Sequence, residues 1–347
     1  MGANMKKTAG CLAAALLATS AYGYQMKPFK DVHERMTIAS VFCSNNPSDC
    51  TEDLSQATAP SEVEYYLEGL RWNDDPLHQL KGLNELRYLE LFGRCVPRAK
   101  LAPLAEKSGL LCRSHYGDWQ FIHSMAIDTN ETIDATHEKI MIWAEFTFKV
   151  STGVISPSIE VAAVPVKGFP ELFAPQGSLM NEQKWDVSTL FSMFCNHPFT
   201  CTKIRRKTPK DPDVADRRIR QMAMGALLHT IQDSFAKSHA FRAGDGVKIE
   251  KGVPQPTISC GAIQKFYAYQ VQDSIKHRAA DGLPSLDSSC QNTAGPVKWS
   301  ATAISWSKAN KSWEEVAESF RQQIFAIDTT NAPNDDAFNS DSSPNGK

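Results

Sequence analysis

The stretch GALLHTIQDSFAKSHAF, residues 225–241, restricts the fold of this chain more than any other part of the sequence. Its apolar residues recur at helical spacing and predict a helix with a buried face. Residues four apart lie on one side of a helix, so His229 and Asp233 point the same way. Burying a carboxylate that lacks a cation or donor is strongly destabilising. The fold must therefore supply Asp233 with a partner, and a metal ion held by both side chains would be one.

Further residues of the same type follow along the chain. His239 comes ten residues after His229 and lies a quarter turn away or just past the helix end. His277 and Asp281 repeat the four-residue spacing on another predicted helix. Imidazole nitrogen and carboxylate oxygen together suit Zn²⁺. An exposed, ion-paired couple is the alternative for either pair, and it stays competitive for the second pair because basic residues flank it.

The N-terminus has the pattern of an export signal. Lys6 and Lys7 precede an apolar run over 11–18 that ends in small residues. This pattern predicts a signal peptide over 1–23 and a secreted or periplasmic bacterial protein. No later stretch reaches the roughly 20 apolar residues that a transmembrane helix requires. The formal net charge of −2 gives no global argument for nucleic acid, so we expect no stable nucleic-acid complex, and we expect a monomer.

Cysteine usage agrees with export. Of nine cysteines, one lies in the signal and eight remain, an even count that favours disulfides. A cysteine zinc site is disfavoured because the chain has no CxxC pair. Local spacing favours pairing Cys43 with Cys50, Cys95 with Cys112, Cys195 with Cys201, and Cys260 with Cys290.

The fold class follows from the distribution of apolar patterns. Helical spacing occurs over 31–42, over 61–72 behind a Ser-x-x-Glu capping box, and over 213–241, 260–282 and 312–327. Residues 139–166 are rich in β-branched and aromatic side chains and predict a β-hairpin. We therefore predict a mainly α protein, with one multi-helix catalytic domain over 24–330, a small β-hairpin insertion at about 139–166, and a disordered tail over 331–347.

The pattern His-x3-Asp-x5-His, followed later by His-x3-Asp, resembles the ligand pattern of the zinc-dependent phospholipase C and S1/P1 nuclease superfamily. The segments RWNDDP and GDWQFIHSM are most similar to its bacterial phosphatidylcholine phospholipase C branch, of the Pseudomonas fluorescens and Legionella type. The resemblance implies the multi-helix fold of that superfamily, about three zinc ions per chain, and phosphoester hydrolysis.

The resemblance also implies which residues bind the zinc ions. It adds three upstream ligands, His33, Asp74 and His123, and it makes Asp233 the bridge between two ions. Asp74 would in addition act as the catalytic general base, with Asp75 as its competitor. The mature N-terminus at Tyr24 would complete the third site after signal removal. The full implied set of metal ligands is His33, Asp74, His123, His229, Asp233, His239, His277 and Asp281.

The implied reaction is hydrolysis of phospholipids at a membrane surface, by a zinc-bound hydroxide, to diacylglycerol and a phosphorylated head group. Aromatic residues near the ligand segments could surround a quaternary ammonium group, although core packing is the alternative for most of them. These residues are Trp119, Phe121, Phe266, Tyr267 and Tyr269.

Two other functions stay open. One is an S1/P1-type single-strand nuclease or 3'-nucleotidase, in which basic residues would guide the phosphate backbone of the nucleic-acid substrate. The other is a non-catalytic exported module that binds a lipid or a partner. The basic residues that would serve the nuclease are Arg205, Arg206, Lys207, Arg217, Arg218 and Arg220. The remaining histidines are interpreted as surface or structural residues, namely His78, His115, His137 and His197.

Overall fold

The computed structural model describes residues 31–51, 54, 62–80, 90–93, 95, 109–195, 204–206, 209–243, 247–250, 253–256, 260–269 and 294–328. These residues are mainly helical and carry three short antiparallel strand pairs, which confirms the predicted mainly α class with a small β element. Within them, no helix is long and apolar enough to cross a membrane.

The helices in chain order are α1 (Val32–Asn45), α2 (Val63–Asp74), α3 (Gly109–Tyr116), α4 (Ile133–Ser151), α5 (Phe169–Phe173), α6 (Leu179–Glu182), α7 (Val187–Ser192), α8 (Pro212–Asp233), α9 (Pro296–Lys308) and α10 (Trp313–Ser319). A short 3₁₀ turn spans Gln120–His123, and a π-helical turn over Phe320–Ile324 continues α10. The helices predicted over 31–42, 61–72 and 312–327 are thus confirmed. The predicted capping serine, Ser61, lies outside the described residues.

The strands form three separate antiparallel pairs. β1 (Met193–Cys195) pairs with β2 (Ile204–Arg206), β3 (Ala240–Arg242) with β6 (Ile263–Phe266), and β4 (Val247–Glu250) with β5 (Val253–Pro256). In the β3–β6 pair, Ala240 lies opposite Phe266. β3 begins seven residues after α8 ends at Asp233.

α2 and α8 cross at backbone contact in the centre of the fold. A Cβ atom on Gly225 would lie 2.1 Å from the Tyr66 carbonyl oxygen, and one on Gly69 would lie 1.9 Å from the Met222 carbonyl oxygen. Only glycine allows two backbones to approach this closely. The crossing therefore brings the C-terminal ends of α2 and α8 together.

An aromatic core fixes α4 against these two helices. Trp143 stacks on Trp72 with ring centroids 5.5 Å apart and on Phe173 at 5.2 Å. The Trp143 indole N–H donates to Thr230 Oγ1 at 3.1 Å, and the Trp72 N–H donates to the Leu190 carbonyl at 2.9 Å. Buried tryptophans that also satisfy their N–H group contribute both apolar area and orientation.

The prediction of a β-hairpin at 139–166 is wrong in position, because α4 covers its first half. Thr132 caps this helix by accepting the Ala135 N–H, and Glu145 pairs with Lys149 one turn later at 2.5 Å. The second half is irregular, with a 3₁₀ turn over Val161–Ala163. Strand propensity is weak and depends on context, and here burial of one helical face overrides it.

Two other predicted helices differ from the structure, one at its end and one at its described start. α8 ends at Asp233 rather than continuing to 241, and Arg242 closes its end by donating to the Ser234 carbonyl at 2.8 Å. A cation is favourable at a helix C-terminus. The start of the predicted 260–282 helix is instead strand β6, which completes the ladder with β3.

Disulfides Cys43–Cys50 and Cys95–Cys112 are present as predicted. Cys195 and Cys260 are also disulfide-bonded. Their predicted partners, at positions 201 and 290, lie outside the described residues. Such bonds are typical of chains that fold in oxidising compartments.

Candidate metal centre

The structure brings together six of the eight predicted metal ligands. They come from the first turn of α1, the last turn of α2, the 3₁₀ turn before α4, the last turn of α8, and the turn that follows it. All six are buried, and in the order of those elements they are His33, Asp74, His123, the pair His229 and Asp233, and His239. The other two, His277 and Asp281, and the predicted N-terminal ligand Tyr24, lie outside the described residues.

Asp233 is at the centre of this group. Its Oδ2 lies 2.9 Å from His229 Nε2 and 2.9 Å from His123 Nδ1. The same oxygen is 3.5 Å from His239 Nδ1, while Oδ1 lies 3.1 Å from His33 Nε2. One carboxylate thus contacts four imidazoles, through both of its oxygens.

Asp74 forms a second group with His123 and His229. Its Oδ1 lies 3.8 Å from His123 Nε2, and its Oδ2 lies 4.0 Å from His229 Nε2. Among the described residues, Asp74 Oδ1 is buried and receives no hydrogen bond. These separations are too long for hydrogen bonds, but they leave space for an ion with bonds of about 2.0–2.2 Å to each ligand. The result is two sets of possible ligand atoms, and the atoms of each set all lie within 4.8 Å of one another. The sets are His33–His229–Asp233 and Asp74–His123–His229.

Hydrogen bonds on the ring nitrogen Nδ1 fix the orientation of three of the histidines. In each, Nδ1 lies against an oxygen that can only accept, so Nδ1 carries a hydrogen. In His33 and His229 this leaves Nε2 facing Asp233, whereas in His239 it is Nδ1 that lies 3.5 Å from Asp233. Partners of this kind fix the tautomer of metal-binding histidines. The acceptors are Gln232 Oε1 for His33 at 2.7 Å, the Leu70 carbonyl for His229 at 2.7 Å, and the His123 carbonyl for His239 at 2.6 Å.

The pKa values of His229 and His239 favour neutral rings. Burial lowers the pKa of His229 to about 3 and that of His239 to about 4. At neutral pH, His229 Nε2 and Asp233 Oδ2 therefore face each other at 2.9 Å as two lone pairs with no hydrogen between them. That arrangement is repulsive unless a cation or a hydrogen lies beside both atoms. A hydrogen on His123 Nδ1, which is 2.9 Å from Asp233 Oδ2 and 3.1 Å from His229 Nε2, would meet this need in the absence of a cation. The possible ligand atoms are imidazole nitrogens and carboxylate oxygens, and they are buried, so these residues could hold a metal ion.

The two carboxylates differ in pKa. Burial raises the pKa of Asp74 well above its usual value, and the negative charges of Asp233, Glu34 and Asp75 raise it further. Burial acts in the same direction on Asp233. However, His239 and His229 are positively charged at the low pH where Asp233 titrates, and these charges hold its pKa well below the usual value. Asp233 is therefore the anionic centre of the group, and Asp74 has the greater affinity for a proton.

Asp75 does not share this role. Its Oδ1 accepts the backbone N–H of Gln79 at 2.5 Å, and its Oδ2 accepts that of Leu80 at 2.8 Å. Both oxygens are used to close the loop after α2. Of the two adjacent aspartates, only Asp74 belongs to the group of ligand atoms.

One histidine at the site was not predicted there. His115, interpreted from sequence as surface or structural, is fully buried and stacks on His123 with ring centroids 4.9 Å apart. Its Nε2 lies 2.9 Å from the Asp74 carbonyl oxygen. A signal existed, because Leu110, Leu111 and Tyr116 surround it with apolar residues.

Other predicted residues lie elsewhere. His137 is buried away from the site, as a structural residue would be, and His78 is half-buried. Position 197 is outside the described residues. Trp119, Phe121 and Phe266 are fully buried in the core, as the packing alternative anticipated. The ring of Tyr269 lies beside the site, with its centroid 5.8 Å from that of His239 and 6.2 Å from that of His123.

The basic residues near the start of α8 are largely paired. Arg218 is buried and pairs with Glu68 at 2.7 Å, and Arg220 pairs with Asp216 at 2.6 Å. The side chains of residues 205–207 lie outside the described part of the chain. In the described region, Arg217 is the member of the predicted basic run that stays exposed.

Comparison of the chain with protein-family models, with curated proteins and with solved structures finds no match. The resemblance to the phospholipase C and nuclease superfamily therefore rests on the ligand pattern.

Proposed function

We propose that this chain is an exported, zinc-dependent phosphodiesterase that hydrolyses phospholipids of the phosphatidylcholine type to diacylglycerol and a phosphorylated head group. The observation that carries the proposal is the convergence of buried imidazoles on Asp233, with the Asp74 carboxylate beside them. Residues from five separate elements supply these side chains, so the group is built by the whole fold. About three zinc ions per chain are expected if the ligands at 277 and 281 complete it.

Zinc bound at such a site lowers the pKa of water and neutralises charge that develops on phosphoryl oxygens. The residues of the chain supply the rest. Hydrogen bonds to backbone and amide oxygens hold the imidazoles in one orientation. Asp74 Oδ1, buried and with a raised pKa, can take the proton of the attacking water. Its burial also excludes bulk water from that proton.

The phospholipid substrate is supported by the sequence resemblance and by the pairing of the basic residues. Arg218 and Arg220 form ion pairs with Glu68 and Asp216, so these two arginines are less available to a nucleic-acid backbone. Because a lipid substrate lies in a membrane surface, we expect a monomer that binds this surface transiently.

The test compares phosphatidylcholine vesicles with single-stranded DNA, each with and without a chelator. We expect turnover of the lipid only, loss of activity with the chelator, and recovery with zinc. Asp233→Asn should bind less metal and lose activity by two orders of magnitude or more. Asp216→Asn, on the same helix but half-exposed, is the matched control and should retain both properties.

Each contrary result has a distinct meaning. Turnover of DNA but not lipid would transfer the proposal to the nuclease branch. Bound metal without turnover of either substrate would favour a lipid- or partner-binding module. Active protein that contains no metal would refute the metal centre itself.

A further inference from the structure

His115 lies directly behind the Asp74 side of the metal centre. It is fully buried on α3, with the ring of Phe92 edge-on at 4.8 Å and that of Tyr269 edge-on at 5.8 Å. A histidine surrounded by aromatic rings is held in one orientation. Its ring nitrogens are therefore expected to make defined hydrogen bonds, because burying an imidazole without hydrogen-bond partners is costly in free energy.

One ring nitrogen of His115 holds the end of α2. Nε2 lies 2.9 Å from the Asp74 main-chain oxygen, and since a carbonyl only accepts, His115 donates. The last carbonyls of a helix have no partner within the helix. His115 supplies that partner at the residue whose carboxylate faces the site, and the same nitrogen is 3.9 Å from Asp74 Oδ1.

The face of the same ring supports His123. The two imidazoles stack with centroids 4.9 Å apart and planes 26° from parallel. His115 therefore contacts both Asp74 and His123, two of the three members of the Asp74–His123–His229 group. Both contacts limit movement of a ligand without occupying the space between the ligand atoms.

A covalent bond anchors the helix that carries His115. Cys112, one turn earlier on α3, is bonded to Cys95, and Phe92 belongs to the same segment as Cys95. The disulfide thus holds together the helix that presents His115 and the aromatic ring that packs on it.

We propose that His115 is a positioning residue of the metal centre, which sets the separation of Asp74 and His123 and so the affinity of the ion that they share with His229. This inference rests on the proposed metal-dependent function. It adds a specific role for a residue that the ligand pattern did not include. Outer partners of metal ligands typically change metal affinity 10–100-fold, as an order of magnitude, when they are removed.

The test measures zinc affinity by competition with a chromophoric chelator, and coordination by the visible spectrum of the cobalt-substituted protein. His115→Phe keeps a ring against His123 but lacks the donor, and should weaken the affected site about 10–100-fold and alter the cobalt spectrum. His115→Gln places an amide donor near the position of Nε2 and should recover most of that affinity. His137→Gln, at a buried histidine outside the group, should change stability without changing metal binding.

A double-mutant cycle separates positioning from general destabilisation. In an Asp74→Asn background, His115→Phe should cause no further loss of zinc affinity, because its effect acts through Asp74. If wild-type protein binds no zinc, the metal centre is refuted and His115 loses this role with it. If wild-type protein binds zinc and His115→Phe binds it equally well with an unchanged spectrum, only the positioning role is refuted. Should His115→Phe fail to fold, a 10-fold or greater loss of affinity in folded His115→Gln would count equally against the donor role.

Discussion

Asp74 and Asp75 are adjacent in the chain, yet their carboxylates have different surroundings. Asp75 accepts two backbone N–H groups of the following loop. Asp74 Oδ1 receives none within the described structure and faces the ring nitrogens of His115 and His123 at 3.9 and 3.8 Å. Burial raises the pKa of both, to about 7 for Asp75. Hydrogen-bond geometry rather than burial therefore separates a structural carboxylate from one that could bind a metal ion.

The substitutions Asp74→Asn and Asp75→Asn should therefore have different effects on metal binding and on stability. Asp74→Asn removes a charged ligand and a proton acceptor, so we expect weaker metal binding and activity reduced by two orders of magnitude or more. Asp75→Asn should keep the metal and lose about 1–3 kcal/mol of stability, because one loop N–H loses a charged acceptor. Metal analysis and urea unfolding of the two proteins would distinguish them. The opposite pattern would make Asp75 the ligand.

The crossing of α2 and α8 determines how closely the ligands approach. Leu70, on α2, accepts a hydrogen bond from His229 on α8, and Asn73 Nδ2 donates to the Ala226 carbonyl at 3.1 Å. These contacts are possible because Gly225 allows the helices to touch at the Tyr66 carbonyl. The distance between helices and the geometry of the site are therefore coupled.

Replacing Gly225 with alanine should disturb both. The new Cβ would lie 2.1 Å from the Tyr66 oxygen, so α8 must move. We expect a loss of about 1–3 kcal/mol in the free energy of unfolding, together with weaker zinc binding. Gly93→Ala is the control, because a Cβ there meets nothing within 4 Å and should be neutral or slightly stabilising. Equal stability of the two variants would contradict this account of the crossing.

Contacts between α4 and the π-helical turn that follows α10 join two parts of the chain that are far apart in sequence. Phe148 on α4 packs against Phe320 with ring centroids 5.9 Å apart, and Arg321 forms an ion pair with Glu138. His137 is buried beside this ion pair. Burial, and secondarily the charge of Arg321, lowers the pKa of His137 to about 4.

His137 should make stability depend on pH. An unfolded histidine titrates near 6.5, so between about pH 6.5 and pH 4 the unfolded chain binds more protons at this position. The stability that neutral His137 contributes is thus present above pH 6.5 and is lost as pH falls through that window. The difference in free energy of unfolding between metal-free wild-type protein and His137→Gln should therefore be smaller at pH 5 than at pH 7.5. We expect this difference to change by about 2 kcal/mol between the two pH values.

The difference between these two proteins is the informative quantity, because the raised pKa values of Asp74 and Asp75 act in the opposite sense in both. Urea unfolding at the two pH values, in the presence of a chelator, supplies the measurement. A difference that stays constant with pH would show that His137 titrates alike in the folded and unfolded chain.

Local pattern and the family resemblance together identified most of the residues at the candidate site. The i, i+4 spacing of His229 and Asp233 in an apolar helix follows from helix geometry alone, and the helices at 31–42 and 61–72 follow from apolar periodicity. The resemblance then supplied His33, Asp74 and His123, which the fold brings to the same place. The nearby cysteine pairs were predictable because short spacing leaves few alternatives.

Long-range contacts decided the rest. Residues 139–151 are helical because one face of α4 is buried against α2 and α8, which outweighs their strand propensity. Residues 263–266 are a strand because β3 offers a partner edge. His115 joins the other histidines through a hydrogen bond to the Asp74 carbonyl, 41 residues away in sequence. A pattern read along the chain reports which face a residue shares with its neighbours, but only the packed molecule determines what lies opposite that face.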